Sequence, residues 1–169
     1  ESAPHFPYVR KRGPLTLIGL NSALPTPSFD ASGKLGAHQI EAARHLLSIM
    51  PGDAIRIITL HHPPTVGGTA KGRDLTDAAD FENMLRSTHV DLIIHGHNHY
   101  QSLNWIEGQR GKIPVLGMMS GSGFNPHFNG IPGWAMVTVS APNSGQASRV
   151  GVVAHEWGAD KSLKPRIII

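Results

Sequence analysis

The stretch DLIIHGHNHY, residues 91–100, decides how the rest of the chain is interpreted. Its apolar residues are typical of a buried strand, but His95, His97 and His99 follow where a strand usually ends in turn residues. Side chains two positions apart in an extended segment lie on one side, so His97 and His99 are expected to converge. Gly96 is expected to let the chain turn and approach an ion. Because neutral imidazole is a common metal ligand, this strand end is a candidate metal site.

Two other predicted strands also end in polar residues. IRIITL, residues 55–60, continues directly into His61 and His62, and LTLIGL, residues 15–20, continues into Asn21. Ligands of parallel α/β sheets gather at the carboxyl ends of the strands. The coincidence of three polar strand ends therefore predicts one shared site.

The order of elements predicts an α/β fold. Apolar residues recur at helical spacing over 36–50 and 76–88, between strands predicted at 15–20, 55–60 and 90–94. This β-α-β-α-β order implies a parallel sheet with right-handed crossovers.

The chain beyond residue 100 predicts an antiparallel meander. Four strand-like segments follow, with a hairpin turn at Gly108–Gly111 and an Asn/Gly/Ser loop between the last two. The segments are SLNWIEG, KIPVLGMMS, WAMVTVS and RVGVVAHEW. No linker interrupts the sequence, so residues 1–169 are predicted to form a single domain.

Composition and charge indicate a globular protein and argue against a membrane-spanning, disulfide-bonded or nucleic-acid-binding one. The chain is 40% hydrophobic and 16% charged, which is typical of a globular protein. It contains no run of about 18 apolar residues, so no membrane span is expected. The absence of cysteine excludes disulfides and is more usual in a cytoplasmic protein. The net charge of +3 sits largely near the two ends and the aromatics, at 6%, are not interleaved with it, so a nucleic-acid partner is not favoured.

The motifs resemble those of a known family. ITLHHPP followed by DLIIHGHNH resembles the last two motifs of the calcineurin-like metallophosphoesterases, and residues from about 8 to 120 share the resemblance. It implies two facing β-sheets flanked by helices, and a hydrolase that cleaves a small phosphomonoester or phosphodiester with water activated by two divalent ions (Mn, Fe or Zn). By resemblance, His61 and His97 would bind one ion and His99 the other.

The chain departs from the family pattern in its first half. The family also carries Asp-x-His, a Gly-Asp after a strand, and Gly-Asn-His followed by an acidic residue. Here no Asp has a His two positions later, no Gly-Asn-His occurs, and Gly52-Asp53 follows a helix and is interpreted as a turn. We therefore expect this to be the C-terminal portion of a metallophosphoesterase domain whose N-terminal portion carries the catalytic residues. The isolated piece is expected to be inactive, to require that missing half or a second chain, and to associate, with a homo-oligomer as one outcome.

Several alternatives stay open at this stage. The chain is also compatible with a degenerate or structural metal-binding module without catalysis, and a steep salt dependence of oligonucleotide affinity would support nucleic-acid binding instead. His62 is interpreted as a support for the ligands or a structural residue, with a direct ligand role as the less favoured alternative, and His95 as a strand residue. The segments 65–75 and 120–130 are predicted to border the pocket.

Overall fold

The computed structural model of the protein describes residues 5–123, 131–140, 149–158 and 162–169. Within these residues the chain forms two helices and nine strands. In chain order they are β1 Tyr8–Arg12, β2 Leu15–Gly19, α1 Ala37–Ser48, β3 Ile55–Leu60, α2 Ala78–Leu85, β4 Leu92–His99, β5 Ser102–Gly108, β6 Gly111–Met119, β7 Gly133–Ser140, β8 Arg149–Trp157 and β9 Leu163–Ile167.

A six-stranded mixed sheet forms the centre of the fold, in the order β1-β2-β3-β4-β6-β5. β2, β3, β4 and β6 run parallel, while β1 and β5 pair antiparallel at the two edges. The central strands are apolar along most of their length because both faces of the sheet are covered. The predicted β-α-β-α-β unit, with α1 and α2 as its crossovers, is confirmed.

The two helices cover one face of this sheet. Leu47 of α1 and Phe81 of α2 pack in one buried cluster with Ile18, Ile58 and Ile93 of the strands. Each helix is shorter than its predicted range because the flanking residues form turns. Neither described helix is long and apolar enough to cross a membrane.

A three-stranded antiparallel sheet, β7-β8-β9, covers the opposite face. Val152 of β8 is fully buried there, in a cluster with Ile57, Leu92 and Leu116 of the larger sheet. The protein is thus of the α/β class, with two sheets packed together and the helices outside the larger one.

The predicted continuous meander is wrong in its first half. The β5–β6 hairpin turns at Gly108–Gly111 as expected, but β6 pairs in parallel with β4 and so extends the six-stranded sheet. Ile113, Val115 and Leu116 are all buried, as suits a strand covered on both faces. Within the described residues, the antiparallel sheet consists of β7, β8 and β9. The loop predicted between β7 and β8 lies outside these residues.

The charged stretches near the two ends also form strands that were not predicted. β1, YVRKR, is the exposed first edge of the large sheet, and β9 is exposed along its whole length at the edge of the small one. Charged side chains on an edge strand oppose pairing with other chains.

Candidate metal centre

Parallel pairing of β3 and β4 brings His61 and His97 together. Leu60 lies opposite His95, and just beyond this pair the Gly96 N–H donates a 3.0 Å hydrogen bond to the carbonyl of His61. The His97 ring then turns towards the His61 ring, and Nδ1 of His97 lies 3.1 Å from Nε2 of His61. The strand-end rule therefore correctly predicted that these two side chains meet.

The turn at the end of β4 is made by residues other than the expected Gly96. The register of β4 against β6 shifts between His95 and His99, but the left-handed residues are His97 (φ 69) and His99 (φ 58), and Gly96 is not left-handed. Holding a non-glycine residue there costs about 1–3 kcal/mol, and such strain is concentrated at ligand sites. The left-handed turns also end the alternation of side chains, so His97 is buried and His99 is exposed.

The geometry of His61 and His97 fits a shared metal ion. Two nitrogens that each lie about 2.0–2.1 Å from one ion are separated by about 3–3.5 Å. The observed 3.1 Å falls in this range. Nδ1 of His97 is the nitrogen that faces His61, whereas Nε2 is buried without a hydrogen-bond partner in the described residues.

His62 completes a group of three histidines whose nitrogens all lie within 4.8 Å of one another. Both nitrogens of its ring already have partners, however: Nδ1 lies 2.8 Å from the Ser22 hydroxyl and Nε2 lies 3.0 Å from the Ala31 carbonyl. Nε2–H therefore donates to Ala31, and Nδ1 accepts from Ser22. This geometry favours the supporting role for His62, because binding an ion would require the loss of one of these bonds.

The histidines of the group are neutral at pH 7. Burial, followed by the neighbouring His62 and His61 and then Arg73, lowers the pKa of His97 to about 4. Burial also lowers the pKa of His61 and of His62. Neutral imidazole is the form that binds a metal ion, so these shifts keep the three side chains in a form that could bind one at physiological pH.

The other candidates at the strand ends lie outside this group. His99 is exposed and is not among the three, although its charge acts on the pKa of His61 and His97. The side chain of Asn21 accepts a 3.1 Å hydrogen bond from the backbone of Ala23. The assignment of His61, His97 and His99 as metal ligands stays a prediction.

His95 is a packing residue of β4 that lies outside the group of three. It is 2% exposed, its Nδ1–H donates to the Gly96 carbonyl, and its ring lies against Gly117 of β6. A Cβ at Gly117 would lie 3.0 Å from that ring. A glycine in an apolar strand indicates such a close approach, and this was the signal available in the sequence.

Two loops border the centre, and sequence reasoning missed how they do so. Residues 21–35 supply Ser22 and Ala31 to His62, while Arg73, in the predicted pocket segment 65–75, donates a 3.5 Å hydrogen bond to the carbonyl of His97. The loops join in a bridge between Gly33 and Leu75. Residues 124–130 of the other predicted pocket segment lie outside the described residues.

Comparisons with known proteins leave the family open. No family model matches the chain, and no curated protein matches it. Among solved structures it is similar to a single mutant of Vps29 from Entamoeba histolytica, with 13% identity over 90% of this chain and 97% of that chain and a TM-score of 0.36. Vps29 is a protein of the metallophosphoesterase fold. A similarity of this size carries no argument about this chain, so the resemblance to metallophosphoesterases depends on its own two histidine motifs.

Proposed function

We propose that His61 and His97 hold a divalent metal ion and that the chain is part of a metal-dependent phosphoesterase. The observation that carries this proposal is the 3.1 Å separation of His61 Nε2 and His97 Nδ1, at the carboxyl ends of adjacent parallel strands. These residues lie in the motifs that resemble the last two of the metallophosphoesterases. The exposed His99, the last residue of β4, is proposed as a ligand of a second ion.

Ligand counting limits what this chain does by itself. In the part of the chain that the structure describes, the group within 4.8 Å consists of three histidines and includes no carboxylate. Neutral imidazoles do not offset the charge of two cations, so further acidic ligands must come from sequence outside these residues or from a second chain. With them, paired divalent ions would supply charge stabilisation at phosphorus and a lowered pKa of water. The substrate is proposed to be a small phosphoester and the location cytoplasmic.

Metal titration of variants tests the site. His61→Ala and His97→Gly are each expected to lower the affinity for Zn²⁺ or Mn²⁺ by about 100-fold in calorimetry, which corresponds to about 2.7 kcal/mol. Glycine is chosen at position 97 because it adopts the left-handed backbone without strain. His95→Ala and the exposed His45→Ala are the controls and should bind as the wild type does. Equal losses in all four variants, or no metal binding by the wild type, would contradict the site.

An activity assay then separates the phosphoesterase from the metal-binding module. The chain alone should hydrolyse bis(p-nitrophenyl) phosphate at background rate with Mn²⁺ present. Addition of the polypeptide that supplies the acidic ligands should produce metal-dependent turnover that His97→Gly abolishes. Metal binding without turnover in the assembled protein would favour the non-catalytic module. Robust turnover by a monomer of 18.2 kDa would show that the ligand count is wrong.

A further inference from the structure

Arg73 places a positive charge beside the histidine group. Its Nη2 donates to the carbonyl of His97 at 3.5 Å, and its charge is one of those that act on the His97 imidazole. In the residues that the structure describes, its guanidinium forms no ion pair with a carboxylate. Arg73 is exposed, so its guanidinium is available to bind an anion next to the neutral imidazoles.

The backbone around Arg73 is held in place although its loop is rich in glycine. The N–H of Arg73 donates to Ala70, and the carbonyl of Gly72 accepts a 2.7 Å hydrogen bond from the N–H of Ala31. On the other side, the carbonyl of Asp74 accepts a 2.9 Å hydrogen bond from the N–H of Gly33. The residues before and after Arg73 are thus both bonded to the loop that holds His62, which reduces the entropy lost when Arg73 binds a ligand.

We infer that Arg73 is a substrate-binding residue that holds the non-bridging oxygens of a phosphoryl group next to the ion on His61 and His97. The planar guanidinium matches two phosphate oxygens with two parallel N–H donors, which a lysine ammonium does not. This inference rests on the proposed function for the identity of the site. It adds that phosphate recognition comes from this chain, and not only from the part that supplies the acidic ligands.

The test measures metal and phosphate separately on the full chain. Zn²⁺ or Mn²⁺ is titrated first, and inorganic phosphate is then titrated into the Mn²⁺-loaded and the metal-free protein, with ³¹P relaxation as a second readout of phosphate near Mn²⁺. Arg73→Ala is expected to weaken phosphate binding by about tenfold or more, as loss of a charge-assisted bidentate contact implies. Its metal affinity should stay the same or rise, because a neighbouring cation has been removed.

Two further variants define the contact. Lys71→Ala removes the same charge from the same loop and should change phosphate affinity by less than about twofold, while Arg73→Lys should restore only part of the loss. If Lys71→Ala and Arg73→Ala lower the phosphate affinity equally, the loss comes from the net charge of the loop and not from a specific Arg73 contact, and the inference is wrong. A parallel loss of metal and phosphate affinity in Arg73→Ala would show a structural role instead.

Failure of the metal site is distinguishable from failure of the inference. If the wild type binds no metal, the proposed function fails, and the metal-free titration still decides on Arg73. Phosphate that binds the metal-free protein and is lost in Arg73→Ala keeps Arg73 as an anion-binding residue. The inference is wrong if phosphate binds neither form of the wild type, or binds Arg73→Ala equally well.

Discussion

Histidines lie at both ends of the β3–β4 pair, but their hydrogen-bond partners differ between the two ends. At the amino ends, the two carboxylate oxygens of Asp91 accept hydrogen bonds from the Arg56 backbone and from His89 Nε2. The Arg56 guanidinium donates to His89 Nδ1 and to the carbonyls of Met50 and Pro51, and only its Nε has no partner. At the carboxyl ends, imidazole nitrogens face one another, and among the described residues no carboxylate belongs to the group.

The number of hydrogen-bond partners that each polar group already has distinguishes a structural cluster from a candidate ligand site. A buried charge whose hydrogen bonds are nearly complete stabilises the fold and has no capacity for a ligand. The facing nitrogens of His61 and His97 have only each other as partners, so both would gain a better partner if an ion bound. We therefore expect substitutions at the amino ends to change stability alone, and substitutions at the carboxyl ends to change metal binding.

The largest effect on stability is expected at Arg56, which is 4% exposed. Arg56→Ala removes donors from two carbonyls and from His89, and it removes the guanidinium charge that acts on Asp91, so the free energy of unfolding should fall by about 3 kcal/mol. Arg44→Ala, which breaks an exposed pair with Glu41, should change it by less than about 1 kcal/mol. Urea unfolding measures both, and calorimetry should show unchanged metal affinity in the folded fraction. If Arg56→Ala and Arg44→Ala both lower the free energy of unfolding by less than about 1 kcal/mol, the cluster at the amino ends of β3 and β4 does not stabilise the fold as proposed.

A smaller loss is expected from Gly33→Ala at the carboxyl ends. A Cβ at Gly33 would lie 2.3 Å from Nδ1 of His62, whose ring is held by Ser22 and Ala31. Displacing this ring should lower the free energy of unfolding by about 1–3 kcal/mol, as overpacking does. Gly52→Ala, where a Cβ would meet nothing within 4 Å, is the matched control and should be neutral or slightly stabilising. If both variants unfold at the same urea concentration, loop 21–35 can shift to accommodate the added methyl group. The His62 ring would then not be held rigidly by Ser22 and Ala31.

The pH dependence of stability gives the smallest of these effects. The pKa of His97 is lowered to about 4, from an ordinary value near 6.5, so between these values the unfolded chain binds more protons than the folded one. Stability from this group is present above about pH 6.5 and is lost as the pH falls to about 4. The metal-free protein should therefore have a lower urea midpoint at pH 5 than at pH 7.5, and His97→Gln should reduce that difference. Identical pH differences in the two proteins would refute the assignment.

The sequence was informative where local pattern and strand order decide the structure. β3 was predicted with its observed bounds, because its β-branched run is followed closely by Pro63 and Pro64, which cannot donate a hydrogen bond to a neighbouring strand. The approach of His61 and His97 followed from parallel pairing. The sheet that β6 joins could not be predicted, because the pairing partner of an apolar strand depends on tertiary packing that its own pattern does not specify.

Other features of the centre have no local signal. The left-handed backbone falls on His97 and His99, whereas the neighbouring Gly96 was the residue expected to provide it. The partners of His62 come from a loop 31 to 40 positions earlier in the chain, and the folded topology brings Ser22 and Ala31 next to it. The sequence therefore indicated the candidate ligands better than the residues that support them.

The joining of the two loops at Gly33 and Leu75 has a consequence for local unfolding. The N–H of Gly33 donates to Asp74, the carbonyl of Gly33 accepts from the N–H of Thr76, and the carboxylate of Asp77 accepts from the N–H groups of Leu35 and Gly36 at the start of α1. Neither loop can open without breaking the bonds of the other. In amide hydrogen exchange these segments should act as one cooperative unit, so that the walls of the centre, although made of loops, open together and at a common free energy.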